Sequence, residues 1–136
     1  MRLVQEEIGF SHIRGHGLFC DDVGIYWPLT DREGNVLEDR YNFTYLDRIF
    51  DQYMKVGLKP FLELGFMPRQ MASGTQTIFY WQGNTTPPKD HEKWANMIKA
   101  LLVHLCQRYG REEVETWPVE VWNEPNLPGF WEHADL

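Results

Sequence analysis

Cysteine is scarce in this chain, with only Cys20 and Cys106 among 136 residues. Cys106 falls among helix-forming residues and Cys20 in a loop after a strand. Neither a disulfide framework nor a zinc-ligand spacing is present, so reduced thiols in a cytoplasmic protein are expected. Long apolar runs are missing as well; none approaches the roughly 20 residues that a membrane span requires. Positive charge is in short supply, with 13 Lys and Arg against 20 Asp and Glu and a net charge of -7. That balance argues against nucleic acid or an anionic membrane surface as partner. Met1 is followed by Arg2-Leu3-Val4-Gln5-Glu6-Glu7, which contains no signal-peptide core. No internal repeat and no low-complexity tract interrupts the chain.

What is present suits one α/β unit. The chain is 43% hydrophobic and 15% aromatic, enough for a real core. Leu3, Val4 and Ile8 before Gly9 form the tail of a helix, and Ser11 to His16 forms a strand. On that strand His12, Arg14 and His16 share one side, with Ile13 and Gly15 on the other. Gly17 to Tyr41 is a long loop with a turn at Asp31 to Asn35. Thr44 to Asp47 resembles a capping box that opens a helix burying Leu46, Ile49, Phe50, Tyr53 and Met54, closed by Gly57. Pro60 to Gly65 is the next strand, with Leu62 and Leu64 toward the helices and Phe61, Glu63 and Gly65 toward the opposite side.

Met67 to Pro88 is a long loop-like connection, and such loops usually have a purpose. Asp90 then caps a second helix whose stripe is Trp94, Met97, Ile98, Leu101, Leu102, Leu105 and Tyr109. An acidic turn at Glu112, Glu113 and Glu115 leads through Trp117-Pro118 into a last strand. Strands alternating with helices predict a parallel sheet. A closed (β/α)8 barrel takes about 250 residues, so the expected fold is part of a TIM barrel.

The last strand carries the sharpest motif. Val119-Glu120-Val121 is β-branched and apolar around one glutamate, then turns polar at Asn123-Glu124 and stops at Pro125. Barrel enzymes keep their chemistry at such carboxyl ends of strands. Pro125 biases Glu124 toward an extended backbone, aiming its carboxylate into the barrel mouth. Trp117, Trp122 and Phe130 are expected to ring it and raise its affinity for a proton, as suits a general acid.

Four segments together carry a resemblance: Arg14-Gly15-His16-Gly17, Gly65 to Thr77, Phe79 to Asn84, and Trp122-Asn123-Glu124-Pro125-Asn126. The chain resembles glycoside hydrolase family 39, the bacterial β-xylosidases, from about Ile8 to its last residue. The resemblance implies barrel strands two to four with their helices, and a retaining hydrolysis of xylo-oligosaccharides or other β-xylosides without metal or cofactor. It implies that Glu124 is the acid/base and that Asn123 bonds the sugar 2-hydroxyl; the plain alternative for Asn123 is a turn residue. His16 resembles a histidine that touches sugar hydroxyls, with an interior histidine bonded to backbone as the alternative.

Phe79 and Tyr80 suit packing on a sugar ring, with Gln82 and Asn84 for polar contacts and Trp81 in a loop mini-core. Asn42-Phe43-Thr44 and Asn84-Thr85-Thr86 match glycosylation sequons by pattern alone. An α-L-iduronidase or another glycosidase with Asn-Glu-Pro is the rival enzyme reading, although apart from Arg69 the mouth loops are neutral or acidic. A non-catalytic sugar-binding or inert barrel piece is the rival of another class.

A retaining enzyme needs a second carboxylate, which the family carries on strand seven. Glu132 and Asp135 follow the motif too closely, and Glu63 is expected deep within its strand. Arg14, Glu63 and Glu120 instead read as a paired structural charge network, with Glu63 between the layers of the other two. The chain alone is therefore expected to lack turnover and to associate through its open sheet edges. The rest of the barrel, and a homo-oligomer of the intact enzyme, are the expected protein partners.

Overall fold

The computed structural model describes residues 2–134. In chain order the elements are α1 (Arg2–Ile8), β1 (His12–Gly15), β2 (Leu29–Thr30), β3 (Val36–Glu38), α2 (Thr44–Lys55), β4 (Lys59–Glu63), β5 (Thr77–Ile78), β6 (Gly83–Asn84), α3 (His91–Tyr109), α4 (Arg111–Val114) and β7 (Val119–Glu120). β1, β4 and β7 form one parallel sheet in that spatial order. The alternation of strand and helix read from the sequence is what produces it, since parallel neighbours need a crossover between them.

Period two divides this sheet into an apolar face and a polar one. Leu62 of the central strand and Leu64 just after it join Leu46 and Phe50 of α2, and Leu101 and Leu105 of α3, in a single buried core. Glu63, between the two leucines, lies with the side chains of Arg14 of β1 and of His16 just after it. α2 and α3 are tied together on their outer side. His104 Nε2 lies 2.7 Å from Asp47, Arg108 Nη2 donates to Asp51 at 2.6 Å, and the Tyr109 hydroxyl donates to Asp51 at 2.8 Å.

The α3 start follows its sequence signal. Asp90 Oδ1 accepts from the backbone N–H groups of Glu92 and Lys93 at 2.9 and 3.1 Å, and Met97, Leu101 and Leu105 are fully buried. α2 starts differently from the expected capping box. Thr44 is already helical, its N–H is taken by Asn42 Oδ1 at 3.0 Å, and Asp47 turns to α3 instead. A carboxylate able to reach a neighbouring histidine and arginine gains more there than from closing its own helix end.

The two long connections are more structured than their composition suggests. The first holds the hairpin of β2 and β3 around Asp31, whose Oδ1 accepts from the backbone of Glu33 and Asn35. The second holds the β5–β6 hairpin and buries Phe66, Met67 and Met71. Asn84, expected to offer polar contacts, is buried, donates to Gly74 O and accepts from Thr86. Its amide is committed to holding the loop, which removes it from the surface. The acidic turn before the last strand is the single helical turn α4. No helix among the described residues is long and apolar enough to cross a membrane.

Candidate active site

The connections after β1, β4 and β7 meet at the carboxyl ends of the strands. Their meeting point is an aromatic cluster that draws on all three. The His16 ring stands edge-on to Phe66 at 5.0 Å and to Phe79 at 5.6 Å. Phe66 in turn meets Trp122 at 5.8 Å and Phe130 at 6.4 Å. Phe66 is fully buried and was not among the residues expected at the site; its position straight after an inward-facing strand was the available signal.

Phe79 stacks on Trp81 at 4.5 Å, so both belong to this cluster and both keep an exposed edge. Tyr80 is 93% exposed and stands at right angles to Trp81, with ring centroids 5.0 Å apart. A cleft of about 310 Å³ is lined by His16, Gly17, Asp22, Tyr80 and Trp81, with the buried thiol of Cys20 at its wall. Desolvation pushes that thiol up to about 11.

Beneath the cluster lies the charge network. Arg14 Nε donates to Glu120 Oε2 at 2.6 Å, and its Nη2 donates to Glu120 Oε1 at 2.9 Å and Asn123 Oδ1 at 2.8 Å. Nη1 lies 3.2 Å from Glu63 Oε2, and the same carboxylate oxygen lies 2.7 Å from His16 Nδ1. His16 is therefore bonded to a side chain rather than to backbone. Glu63 is the last residue of β4 and stands opposite Glu120 in the ladder, not deep in its strand as expected. Two like charges face one another across neighbouring strands, and Arg14 lies between them.

The three charged groups differ in burial. The Glu63 side chain is 0% exposed, whereas those of Arg14 and Glu120 keep 33% and 28% of their surface. Burial holds the Glu63 carboxyl above the usual carboxylate range, against the pull of His16 and Arg14. The hydrogen bond from Arg14 holds Glu120 below that range.

Asn123 is buried and its Oδ1 accepts from Arg14, which leaves the Nδ2 group facing Glu124 Oε2 at 3.5 Å. Glu124 itself is exposed and lies close enough to Arg14 to stabilise the guanidinium charge. Its backbone is left-handed, with φ of 41°, instead of the extended form that a following proline favours. The turn explains the difference: Leu127 N–H donates to Glu124 O at 3.0 Å, closing a turn around Pro125. The expected aromatic ring around Glu124 is also incomplete. Trp117 lies before β7, at the other end of the strand, packed on Phe50 and Tyr109. Trp122 and Phe130 are joined to each other, the indole Nε1 donating to Phe130 O at 2.6 Å. Glu132 meets the long loop through its N–H to Thr85 O, and Asp135 lies outside the described residues.

Carboxylates, an oriented amide and aromatic faces at the carboxyl ends of parallel strands define an α/β domain of the kind that carries its site on the loops following those strands. The chain belongs to Glycosyl hydrolases family 39, whose family model matches residues 1–136. It is 56% identical over 135 residues to a beta-xylosidase of Geobacillus stearothermophilus, covering 99% of this chain and 26% of that protein. A beta-xylosidase of Caldicellulosiruptor saccharolyticus is 44% identical over 131 residues, covering 96% of this chain and 26% of the relative. Among solved structures, a monomeric beta-xylosidase from Caulobacter crescentus CB15 superposes with a TM-score of 0.89 at 46% identity, covering 98% of this chain and 26% of that one. The chain thus spans about a quarter of the length of the curated relatives it matches.

Proposed function

We propose that these residues are strands two to four of the (β/α)8 catalytic barrel of a retaining β-xylosidase, with Glu124 as its acid/base. The observation that carries this reading is the connected series Arg14, Asn123, Glu124 at the end of β7. Arg14 fixes which end of the Asn123 amide faces the carboxylate, so its N–H2 group is available beside the position of the scissile sugar. In the proposed reaction Glu124 protonates the glycosidic oxygen in the first step. It then removes a proton from water in the second, while Asn123 bonds the 2-hydroxyl as oxocarbenium character develops. The left-handed turn at Glu124 supports this reading, because strained backbone at non-glycine residues clusters at functional sites.

The nucleophile has to stand about 5 to 5.5 Å from the acid/base. Glu63 and Glu120 are engaged with His16 and Arg14, so we assign that role to a carboxylate outside residues 1–136. Aryl xylosides with good and poor leaving groups test the reading in the intact protein containing this chain. Glu124→Ala is expected to lose turnover of poor leaving groups by about 10²- to 10⁴-fold, the scale of general acid catalysis. With good leaving groups kcat/KM should be largely spared while kcat falls through the slowed second step, and azide should restore that turnover as β-xylosyl azide. Full activity in Glu124→Ala would overturn the assignment. Xylose binding without hydrolysis by the parent protein would replace it with a sugar-binding role.

A further inference from the structure

We propose that Glu63 is a positioning residue, holding His16 as its Nδ1–H tautomer so that Nε2 is presented as an acceptor for a sugar hydroxyl. With Glu63 ionised and the ring neutral, the geometry around Nδ1 allows one mutually consistent arrangement. Glu63 Oε2 lies at 2.7 Å and Arg14 Nη1 at 3.2 Å, and Arg14 Nη1 is itself 3.2 Å from the same Oε2. A guanidinium only donates, and an ionised carboxylate only accepts. With a proton on Nδ1, His16 and Arg14 both donate to Oε2, and no lone pairs oppose one another. A bare Nδ1 would instead need the proton to sit on Glu63.

Several elements surround the carboxylate: Arg14 comes from β1, His16 from the turn straight after it, Glu120 from β7, and the Trp122 ring lies beside neighbouring Gly65. The second carboxylate oxygen, Oε1, is buried without a hydrogen-bond partner, so the carboxylate makes its contacts through Oε2. Phe66 and Phe79 stand edge-on to the imidazole and fix its plane, while Glu63 fixes which nitrogen carries the proton. Packing and tautomer together orient one ring atom for a substrate, the role that outer carboxylates play for functional histidines generally.

The sugar contact rests on the proposed β-xylosidase reading; the tautomer does not. The test is a long-range ¹H–¹⁵N spectrum of the histidine-labelled intact protein, with His16→Gln to assign the signal. The parent should show a protonated Nδ1 and a bare Nε2 at a pH where the ring is neutral. An Nε2–H signal there overturns the proposal. Glu63→Gln should abolish the single tautomer and lower kcat/KM by about tenfold or more, the scale of losing one charge-assisted hydrogen bond. An altered tautomer with unchanged kcat/KM overturns the sugar-acceptor role. If Glu63→Gln does not fold, the parent spectrum still decides the tautomer. Failure of azide rescue at Glu124 would remove the enzyme reading and leave that tautomer result intact.

Discussion

Arg14 clamps Glu120 with two nearly parallel hydrogen bonds, Nε to Oε2 at 2.6 Å and Nη2 to Oε1 at 2.9 Å, across the face of the sheet. The two residues belong to the outer strands, with β4 between them, so the pair braces all three strands at once. Removing the carboxylate leaves Arg14 with Glu63, the Asn123 amide oxygen and the nearby Glu124. Charge-assisted bonds contribute about 1.5–3 kcal/mol when well buried. Both side chains here are about 30% exposed, so solvent screening brings the expected loss for Glu120→Ala to about 1–2 kcal/mol. The midpoint of urea unfolding of the intact protein should fall accordingly, with a smaller effect on the bond-making step. An unchanged midpoint would show that the clamp does not support the sheet.

The two facing glutamates should give pH dependences of opposite sign. Glu120, like Asp51 and Glu113, is held below the usual carboxylate range, chiefly by hydrogen bonds to Arg14, Arg108 and Trp117 respectively. In the acid range the unfolded chain binds more protons at these groups. Their contribution is present above about pH 4.3 and is lost as pH falls through the lower folded values. Glu63 is held above its ordinary value by burial. The folded chain binds the extra proton there, so stability falls as pH rises from about 4.3 through the raised value. Urea unfolding from pH 3 to 7 should show Glu120→Gln flattening the acid limb and Glu63→Gln flattening the opposite one. Parallel curves for parent and Glu63→Gln would refute the assignment of that limb.

The elements most legible in the sequence are those whose signal is repeated. The α3 stripe runs from Trp94 to Tyr109 with Asp90 capping it, and the alternation of Leu62, Glu63 and Leu64 gives the two faces of β4 and of its exit. Single local signals were weaker wherever a tertiary partner competed. Thr44 loses the cap to Asn42, Asp47 bonds α3, and the carbonyl of Glu124 closes a turn that overrides the preference before proline. The β2–β3 and β5–β6 hairpins have strands of two or three residues, too short for a period to register. At the site, inward parity brought Arg14, Glu63 and Glu120 into one reading, but not the 2.7 Å contact of Glu63 with His16. That contact depends on β4 ending at Glu63, and strand ends are not written in an alternating pattern.

Gly83 of β6 gives a test of the aromatic cluster that leaves every polar site residue in place. A Cβ built there would stand 2.6 Å from Phe66 Cδ2 and 3.2 Å from Cε2, closer than carbon atoms pack. Phe66 is fully buried against His16, Trp122 and Phe130, so its ring has no open direction in which to yield. Overpacking of this kind costs about 1–3 kcal/mol. Gly83→Ala should lower the melting temperature and change the near-ultraviolet circular dichroism of the aromatic cluster. Because Phe66 also supports the His16 ring, activity of the intact protein should fall with it. An unperturbed near-ultraviolet spectrum would mean that the cluster is less tightly packed than these distances require.

The isolated chain of residues 1–136 should associate in solution. Its accessible surface is 8431 Å², whereas a compact monomer of 16.2 kDa exposes about 7,450 Å² by the usual scaling of area with mass. The excess has identifiable sources. β1 and β7 are the outer strands of the sheet, and parallel edges left unpaired are ready templates for another chain. On the β7 side Val119 and Val121 are exposed at 51% and 63%, and Leu127 lies open just beyond them. A net charge of -7 opposes association at low salt, but charge repulsion is screened beyond about 10 Å at 0.1 M ionic strength. Sedimentation velocity should therefore show species heavier than 16.2 kDa, growing with salt, and Val121→Lys should reduce them by placing charge beside the edge. A single monomeric species at every salt concentration would show that the edges protect themselves.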